Sequence, residues 1–172
     1  AHRPDADQEH LMQRAYPLLP AIPPFLAMGP HRTPEEVVRD RVETWVDTWS
    51  SEAIGADMEA LRPLMCTGKL TMMSDFGSDM VVSQSFEDYQ ALWMPILSDT
   101  FRNWQVTLAS DVDIHASSSL AAASYFTVFE GETHQATGMV QRQAVSSVWK
   151  VHDCEWRLVQ EHTSVDSEGR MA

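Results

Sequence analysis

The sequence has only two cysteines and no long apolar run. The first shortage argues against a cysteine-based zinc or redox site, and the second against a membrane-spanning helix. Its two cysteines, Cys66 and Cys154, match neither a zinc-ligand spacing nor a Cys-x-x-Cys redox motif. The sequence does not show whether these two cysteines form a disulfide, so they do not indicate an oxidising or a reducing compartment. No apolar run approaches the roughly 20 residues that a membrane-spanning helix requires.

Basic residues are also scarce, which bears on the partners of the chain. Twelve Lys and Arg residues stand against 25 Asp and Glu residues, and the formal net charge is −13. Such a surface repels phosphate backbones and anionic lipid headgroups. The basic residues do not cluster with aromatic residues as they do in nucleic-acid-binding proteins. We therefore expect neither nucleic acid nor a membrane surface as a partner.

The common signatures of cofactor and metal enzymes are missing from the sequence. There is no Gly-rich phosphate loop, no Gly-x-Ser-x-Gly and no His-Glu-x-x-His. The seven histidines are scattered along the chain, so no metal site is predicted. We expect a protein that works without a cofactor.

The 172 residues, 44% of them hydrophobic, fit one globular domain of ordinary size. We predict that this domain covers residues 33–166 and that residues 167–172 form a disordered tail. Residues 1–32 are proline-rich and predict an extended arm, because proline removes backbone donors and fixes φ. This arm either lies on the domain or a partner subunit, or is a loose leader. The chain begins at Ala1, so the sequence does not decide the localisation. It is compatible with a cytoplasmic protein and with one exported after removal of a signal peptide.

The first half of the predicted domain has helical patterns. Thr33-Pro34-Glu35-Glu36 combines a capping hydroxyl, a proline at the first helical position and a glutamate at the third. Apolar residues at helical spacing follow and predict a long amphipathic helix. A short helix is predicted from residue 57 to about 65, and a third helix after the capping residue Ser85.

The second half of the predicted domain has strand patterns. Residues 69–82 predict two strands around a polar turn, and four long strands are predicted to begin near Trp104, Leu120, Gln141 and Trp156. Short connections between the long strands favour an antiparallel meander. Helices followed by strands indicate an α+β fold rather than a doubly wound parallel sheet.

The last predicted hairpin, Val148 to Ser164, reads VWKVHDCEWRLVQEHTS. It resembles the last hairpin of SnoaL-like domains of the nuclear-transport-factor-2-like superfamily, and is similar to the association domain of calcium/calmodulin-dependent kinase II. Residues 41–49 and 85–93 resemble the family's first and third helices. The resemblance covers roughly residues 34–165. It implies a cystatin-like cone, in which N-terminal helices pack on a strongly curved antiparallel sheet around a pocket.

The resemblance also restricts the function, although the fold alone does not choose a reaction. Relatives include isomerases, dehydratases, polyketide cyclases, epoxide hydrolases and non-catalytic assembly domains. We therefore expect a small apolar molecule as ligand, with isomerisation, dehydration or cyclisation by proton transfer. The alternative is a non-catalytic dimerisation or assembly module, and a homodimer is expected in either case.

The resemblance makes His162 the first catalytic candidate. Side chains alternate along a strand, so the last strand is expected to place Trp156, Leu158, Gln160, His162 and Ser164 on one face. In similar domains this face points into the cone. His162 would then carry a proton or donate a hydrogen bond to the ligand, with Gln160 and Ser164 beside it. Alternatively, His162 fixes the end of the sheet by hydrogen-bonding to the helices.

Three further candidates each have two interpretations. Asp75 is the best-placed aspartate by chain order if the pocket holds a catalytic carboxylate, but Asp75–Asp79 also reads as a turn. Tyr125 either presents its hydroxyl to the pocket or belongs to the core. The resemblance suggests that Arg142 clamps a ligand carboxylate, whereas a bulge in the strand would turn it to the solvent.

The predicted helices supply three tryptophans, Trp45, Trp49 and Trp93. They either coat a ligand-binding cavity or form part of an ordinary core. Ten methionines, Met72 and Met73 among them, suggest an adaptable interior suited to irregular apolar ligands.

Overall fold

A computed structural model of the chain describes residues 32–77 and 79–165. The predicted arm, apart from Arg32, and the predicted tail lie outside these residues. Within the described part of the chain, no helix is both long and apolar enough to cross a membrane.

Two α-helices and a short 3-10 helix form one layer of the domain. Helix α1 spans Pro34–Thr48, the 3-10 helix spans Glu59–Leu64, and helix α2 spans Phe86–Thr100. The predicted capping box of α1 is confirmed: the Thr33 hydroxyl accepts from the Glu36 amide at 3.2 Å, and the Glu36 carboxylate accepts from the Thr33 amide at 2.8 Å. The apolar stripe of α1 is buried, as its spacing predicts.

Seven strands form the second layer, a single sheet in the order β2-β1-β7-β6-β5-β3, with β4 also paired to β5. The long predicted strands and their antiparallel meander are confirmed, and the domain is α+β. The sequence pattern does not predict β4. The strands span Thr71–Asp75 (β1), Met80–Ser83 (β2), Phe101–Leu108 (β3), Asp113–Ala116 (β4), Leu120–Thr133 (β5), Gly138–His152 (β6) and Glu155–Val165 (β7).

The sheet is mixed, because β1 runs parallel to β7 while the other pairs are antiparallel. The expectation of a wholly antiparallel sheet is therefore corrected at this one pair. A tight turn forces neighbouring strands to be antiparallel, but β1 and β7 are far apart in the chain and no such turn joins them. The pair places Met72 beside Glu161 and Asp75 beside Ser164.

The hairpin between β6 and β7 closes with two residues, Asp153 and Cys154, between the paired His152 and Glu155. Asp153 has φ of 50° and Cys154 has φ of 63°. Positive φ at both central residues is the mark of a type I′ turn, whose twist matches that of the strands. The turn type common in such hairpins is thus formed without glycine.

One irregularity in β7 changes which side chains face the helices. Val148 of β6 pairs with Gln160, but the next residue, Trp149, pairs with Leu158, so Val159 is an extra residue. Such a bulge inverts the alternation of side chains beyond it. Leu158 is buried before the bulge and Glu161 after it. The expectation that one face carries the even-numbered residues from 156 to 164 is therefore wrong.

The core lies between the helices and the face of the sheet that they cover, here called the inner face. Trp149 and Leu158 are completely buried on this face, and Val38 and Val42 of α1 are completely buried opposite the sheet. Burying such side chains contributes roughly 1.5–3 kcal/mol each. At the far end of the sheet, Phe101 and Phe129 meet edge-to-face with ring centroids 5.1 Å apart.

We expect Gly131→Ala to destabilise the domain, because a Cβ at residue 131 would lie 2.6 Å from the Phe101 ring and 2.9 Å from the Phe129 ring. The two rings must then move within a packed region, at a cost of about 1–3 kcal/mol. Urea unfolding measures this change in the free energy of unfolding. Gly138→Ala is the matched control, since nothing lies within 4 Å of its added Cβ. Equal stabilities of the two variants would contradict the packing described here.

Candidate functional site

A small cavity of about 50 Å³, here called the inner cavity, lies between the two α-helices and the inner face of the sheet. Apolar and aromatic side chains form most of its wall, and a few polar groups interrupt them. Its lining residues are Trp45, Val46, Trp49, Tyr89, Trp93, Leu97, Val106, Tyr125, Thr127, Phe129, Gln143, Val145, Glu161 and Thr163. A mostly apolar wall with a few polar groups is the usual composition of a small-molecule site.

The helices contribute an aromatic cluster to this wall. Trp49 contacts Trp45, Tyr89 and Trp93 edge-to-face, with ring centroids 6.2, 5.8 and 5.5 Å apart. Helical spacing brings these rings together, since residues three or four positions apart share a face. The structure therefore gathers the three predicted tryptophans around one cavity. Their role in binding a ligand stays a prediction.

Glu161 is the one ionisable carboxyl group in the lining, and it is only 4% exposed. Its Oε1 accepts a hydrogen bond from the Thr163 hydroxyl at 3.3 Å. Its Oε2 has no hydrogen-bond partner of ordinary geometry among the described residues. None of the residues lining the cavity is Lys, Arg or His. A buried carboxylate without a cationic partner is costly, because the lost hydration is not replaced.

Burial raises the pKa of Glu161 to about 7. The polar hydrogens of Trp45 and Thr163 act in the opposite direction, because they favour the charged carboxylate. A pKa near neutrality allows a carboxyl group to give and take a proton under physiological conditions. Glu161 is therefore the group in this cavity best suited to acid–base chemistry.

Two hydrogen-bond donors in the lining are also unpaired. Neither the Tyr125 hydroxyl nor the Trp93 indole nitrogen has a partner of ordinary geometry among the described residues. Burial raises the pKa of Tyr125 well above its usual value, and the charge of Glu161 raises it further. The hydroxyl thus keeps its proton and can donate a hydrogen bond to a ligand oxygen. The structure places Tyr125 at the cavity, as one of its two interpretations predicted.

A second cavity of about 260 Å³, here called the outer cavity, adjoins the first. Its remaining wall is formed by the first hairpin, the end of α2, the starts of β3 and β6 and the end of β7. The residues that line it without lining the inner cavity are Ser74, Asp75, Phe76, Ile96, Thr100, Phe101, Met139, Gln141 and Val165.

The structure separates His162 from the inner cavity. The bulge at Val159 turns His162 to the opposite, outer face of the sheet, where it pairs with Ser146 and with Met73. Gln160 and Ser164 have the same parity and also do not line the inner cavity. The prediction that the His-x-Ser face points into the cavity is therefore wrong. The extra residue in β7 exchanges the two faces of the strand for all residues that follow it.

Asp75 and Arg142 also lie outside the inner cavity. The Asp75 carboxylate accepts a hydrogen bond from the Gly77 amide at 2.7 Å, which is the turn interpretation of this residue, and its side chain borders the outer cavity. Arg142 is exposed on the outer face, where its guanidinium carbon lies 4.2 Å from the centre of the Phe126 ring. The interpretation of Arg142 as a clamp on a ligand carboxylate in the inner cavity is therefore wrong.

Sequence reasoning missed Glu161, although it lies beside His162. The alternation of β7 counted from the hairpin assigns Glu161 to the solvent, and only the bulge brings it inward. The two neighbouring strands indicate which face of the sheet is inward. Tyr125 and Thr127 of β5, and their partners Val145 and Gln143 of β6, are alternate residues that all line the cavity. Within the described residues, no three His, Cys, Asp or Glu side chains are arranged to hold a metal ion.

The fold is that of a class of solved proteins, the nuclear-transport-factor-2-like domains. A member from Salmonella enterica serovar Typhimurium is 15% identical, with a TM-score of 0.64 over 76% of this chain and 89% of its own. A hexachlorocyclohexane dehydrochlorinase from Novosphingobium barchaimii is 9% identical, with a TM-score of 0.60 over 77% and 86%. The CaMKII association domain from C. elegans is 16% identical, with a TM-score of 0.56 over 76% and 93%.

Within this class, the chain belongs to the SnoaL-like domain family, which matches residues 42–167. The predicted family and the cystatin-like fold class are thereby confirmed. No protein of curated function matches the chain in sequence. At identities this low, the solved structures establish the fold and leave the reaction open.

We expect Glu161→Gln to remove a pH dependence of stability. The folded-state pKa of about 7 exceeds the ordinary value of 4.5, so the folded protein binds more protons than the unfolded chain between these pH values. The free energy of unfolding of the wild type should therefore fall by about 3 kcal/mol from pH 4.5 to above pH 7. The glutamine variant keeps the size of the side chain without the charge.

Urea unfolding at pH 5 and pH 8 measures this difference. The variant should match the wild type at pH 5 and exceed its stability at pH 8. Glu43→Gln, on the exposed face of α1, is the control and should leave the pH dependence unchanged. A wild-type slope that survives in Glu161→Gln would refute the assignment.

Proposed function

We propose that the domain binds a small apolar molecule in the inner cavity and transfers a proton on it without a cofactor. Glu161 takes and returns this proton. The observation that carries the proposal is the buried Glu161 carboxyl, whose Oε2 has no hydrogen-bond partner of ordinary geometry among the described residues and whose pKa is raised by burial to about 7. A general base is most effective when its pKa lies near the working pH.

The unpaired donors support a carbonyl compound as the reacting group. When a carboxylate removes a proton from the carbon beside a carbonyl, the C–H bond breaks and its electron pair moves towards the carbonyl oxygen. Negative charge then develops on that oxygen. The Tyr125 hydroxyl and the Trp93 indole N–H are donors that can stabilise it in a water-poor site. The cavity thus offers both groups that the step requires.

The proposed reaction class is isomerisation, dehydration or cyclisation, because each of these can begin with proton removal beside a carbonyl. Return of the proton to another carbon or oxygen atom isomerises the substrate. Delivery of the proton to a hydroxyl group on the neighbouring carbon, whose C–O bond breaks as water leaves, dehydrates it. This proposal keeps the predicted proton-transfer chemistry and Tyr125, and replaces His162 and Asp75 by Glu161 as the proton carrier.

We expect the protein to catalyse deuterium exchange at the α-carbon of 2-pentanone in D₂O, measured by proton NMR. The rate should rise as the pH increases through about 7, because only the ionised carboxylate is a base. Glu161→Gln should reduce the rate by about 10²–10⁴. Tyr125→Phe, which loses the hydroxyl alone, should reduce it by about 10².

His162→Ala is the matched control for this experiment, because His162 neighbours Glu161 in sequence and lies on the other face of the sheet. It should leave the exchange rate unchanged. Loss of exchange in His162→Ala with normal exchange in Glu161→Gln would reverse the assignment and reject the proposal.

A second function, assembly through the outer face of the sheet, is favoured by a separate observation. Leu120, Phe126 and Val140 are exposed there, between 36% and 52%, and small residues such as Ala122 and Ala144 lie between them. Phe126 pairs with Ala144 near the middle of this face. A sheet face with a few exposed apolar side chains suits pairing with a second copy. We propose a homodimer formed through this face, which leaves the inner cavity unaffected.

Sedimentation velocity tests this assembly. The wild type should sediment as a dimer of the 19.4 kDa chain, and Ala144→Arg should sediment as a monomer, because it places an unpaired charge in the contact. Glu43→Arg, on the exposed face of α1, should remain dimeric. A wild-type monomer at high concentration would exclude the assembly.

A further inference from the structure

The inner and outer cavities share one wall. Five residues line both of them: Trp93, Leu97, Phe129, Gln143 and Thr163. The two cavities therefore adjoin at these residues. The inner cavity, at about 50 Å³, is the smaller of the two, and the outer one measures about 260 Å³. The larger part of the available volume thus lies outside the proposed reaction site.

The rim of the outer cavity is apolar and partly open to solvent. Phe76 and Met139 are each 36% exposed there. The Phe76 ring contacts Trp93, with centroids 5.4 Å apart, so the rim joins the shared wall directly. Ile96 and Val165 extend the apolar surface. A lining of this kind suits hydrocarbon, whose transfer from water is favourable in proportion to the buried area.

The charges around the two cavities restrict the ligand further. No Lys, Arg or His lines either cavity among the described residues, whereas Glu161 lines the inner one and Asp75 the outer one. The formal net charge of the chain is −13. An anionic ligand would meet negative groups at both sites without a cationic partner, so its burial is disfavoured.

From this arrangement we infer that the outer cavity is a binding subsite for the uncharged alkyl extension of a ligand whose reacting head occupies the inner cavity. The ligand class is therefore an elongated, uncharged carbonyl compound rather than a compact one or a fatty acid anion. This inference rests on the proposed function, since it takes the head group from there. It adds the length and the charge of the ligand.

A chain-length series tests the subsite through the dissociation constants of 2-pentanone, 2-nonanone and nonanoate, measured by ligand-observed NMR titration at pH 8. Each buried methylene should tighten binding by about two- to fourfold, so 2-nonanone should bind at least about tenfold more tightly than 2-pentanone. Nonanoate, of matched length, should bind at least about tenfold more weakly than 2-nonanone, because its charge would be buried without a partner.

Met139→Trp fills the outer cavity, and Glu43→Trp is its control, because Glu43 is exposed on α1 and lines neither cavity. Met139→Trp should reduce the preference for 2-nonanone to within about threefold while binding of 2-pentanone persists. Glu43→Trp should keep the full preference. Circular dichroism establishes that both variants are folded.

The outcomes separate the subsite from the proposed function. Binding and α-exchange of 2-pentanone without any gain from chain length would overturn the subsite alone. A full preference in Met139→Trp, or nonanoate bound as tightly as 2-nonanone, would also overturn it. If neither ketone binds and none is exchanged, the proposed function fails together with the subsite.

Discussion

The extra residue at Val159 is the local feature on which the inner cavity depends. Because side chains alternate along a strand, one added residue exchanges the two faces beyond it. Here it brings Glu161 and Thr163 beneath the helices and moves His162 to the outer face. Without this bulge, the cavity would contain an imidazole where it now contains a carboxyl group, and its acid–base properties would differ.

The buried carboxyl group is unfavourable for stability, and the surrounding layer explains how it is retained. Apolar packing of α1 and of the inner face of the sheet supplies most of the stabilisation, since Val38, Val42, Trp149 and Leu158 are completely buried. One unpaired oxygen is a modest cost beside that core. Groups that are unfavourable for stability are found at functional sites, where an unpaired polar atom can bind a ligand.

The two faces of the sheet have different chemistry, and the alternation of side chains keeps them separate. On β5, Tyr125, Thr127 and Phe129 face the cavities, while Leu120 and Phe126 face outward. The same strand can therefore contribute to a ligand site on one side and to a subunit contact on the other. Solved domains with a similar fold include both a dehydrochlorinase and an association domain.

The sequence by itself determined the helices, the long strands, the fold class and the family, because these follow from local periodicity, capping and a hairpin of consecutive residues. It also made Tyr125 and the three tryptophans candidates for the cavity wall, because their positions follow from regular alternation and helical spacing. Glu161, the parallel β1–β7 pair and the outer cavity were decided only by the tertiary structure. A bulge depends on the register between two strands, and a cavity depends on which distant segments meet, so neither is encoded in the spacing of neighbouring residues.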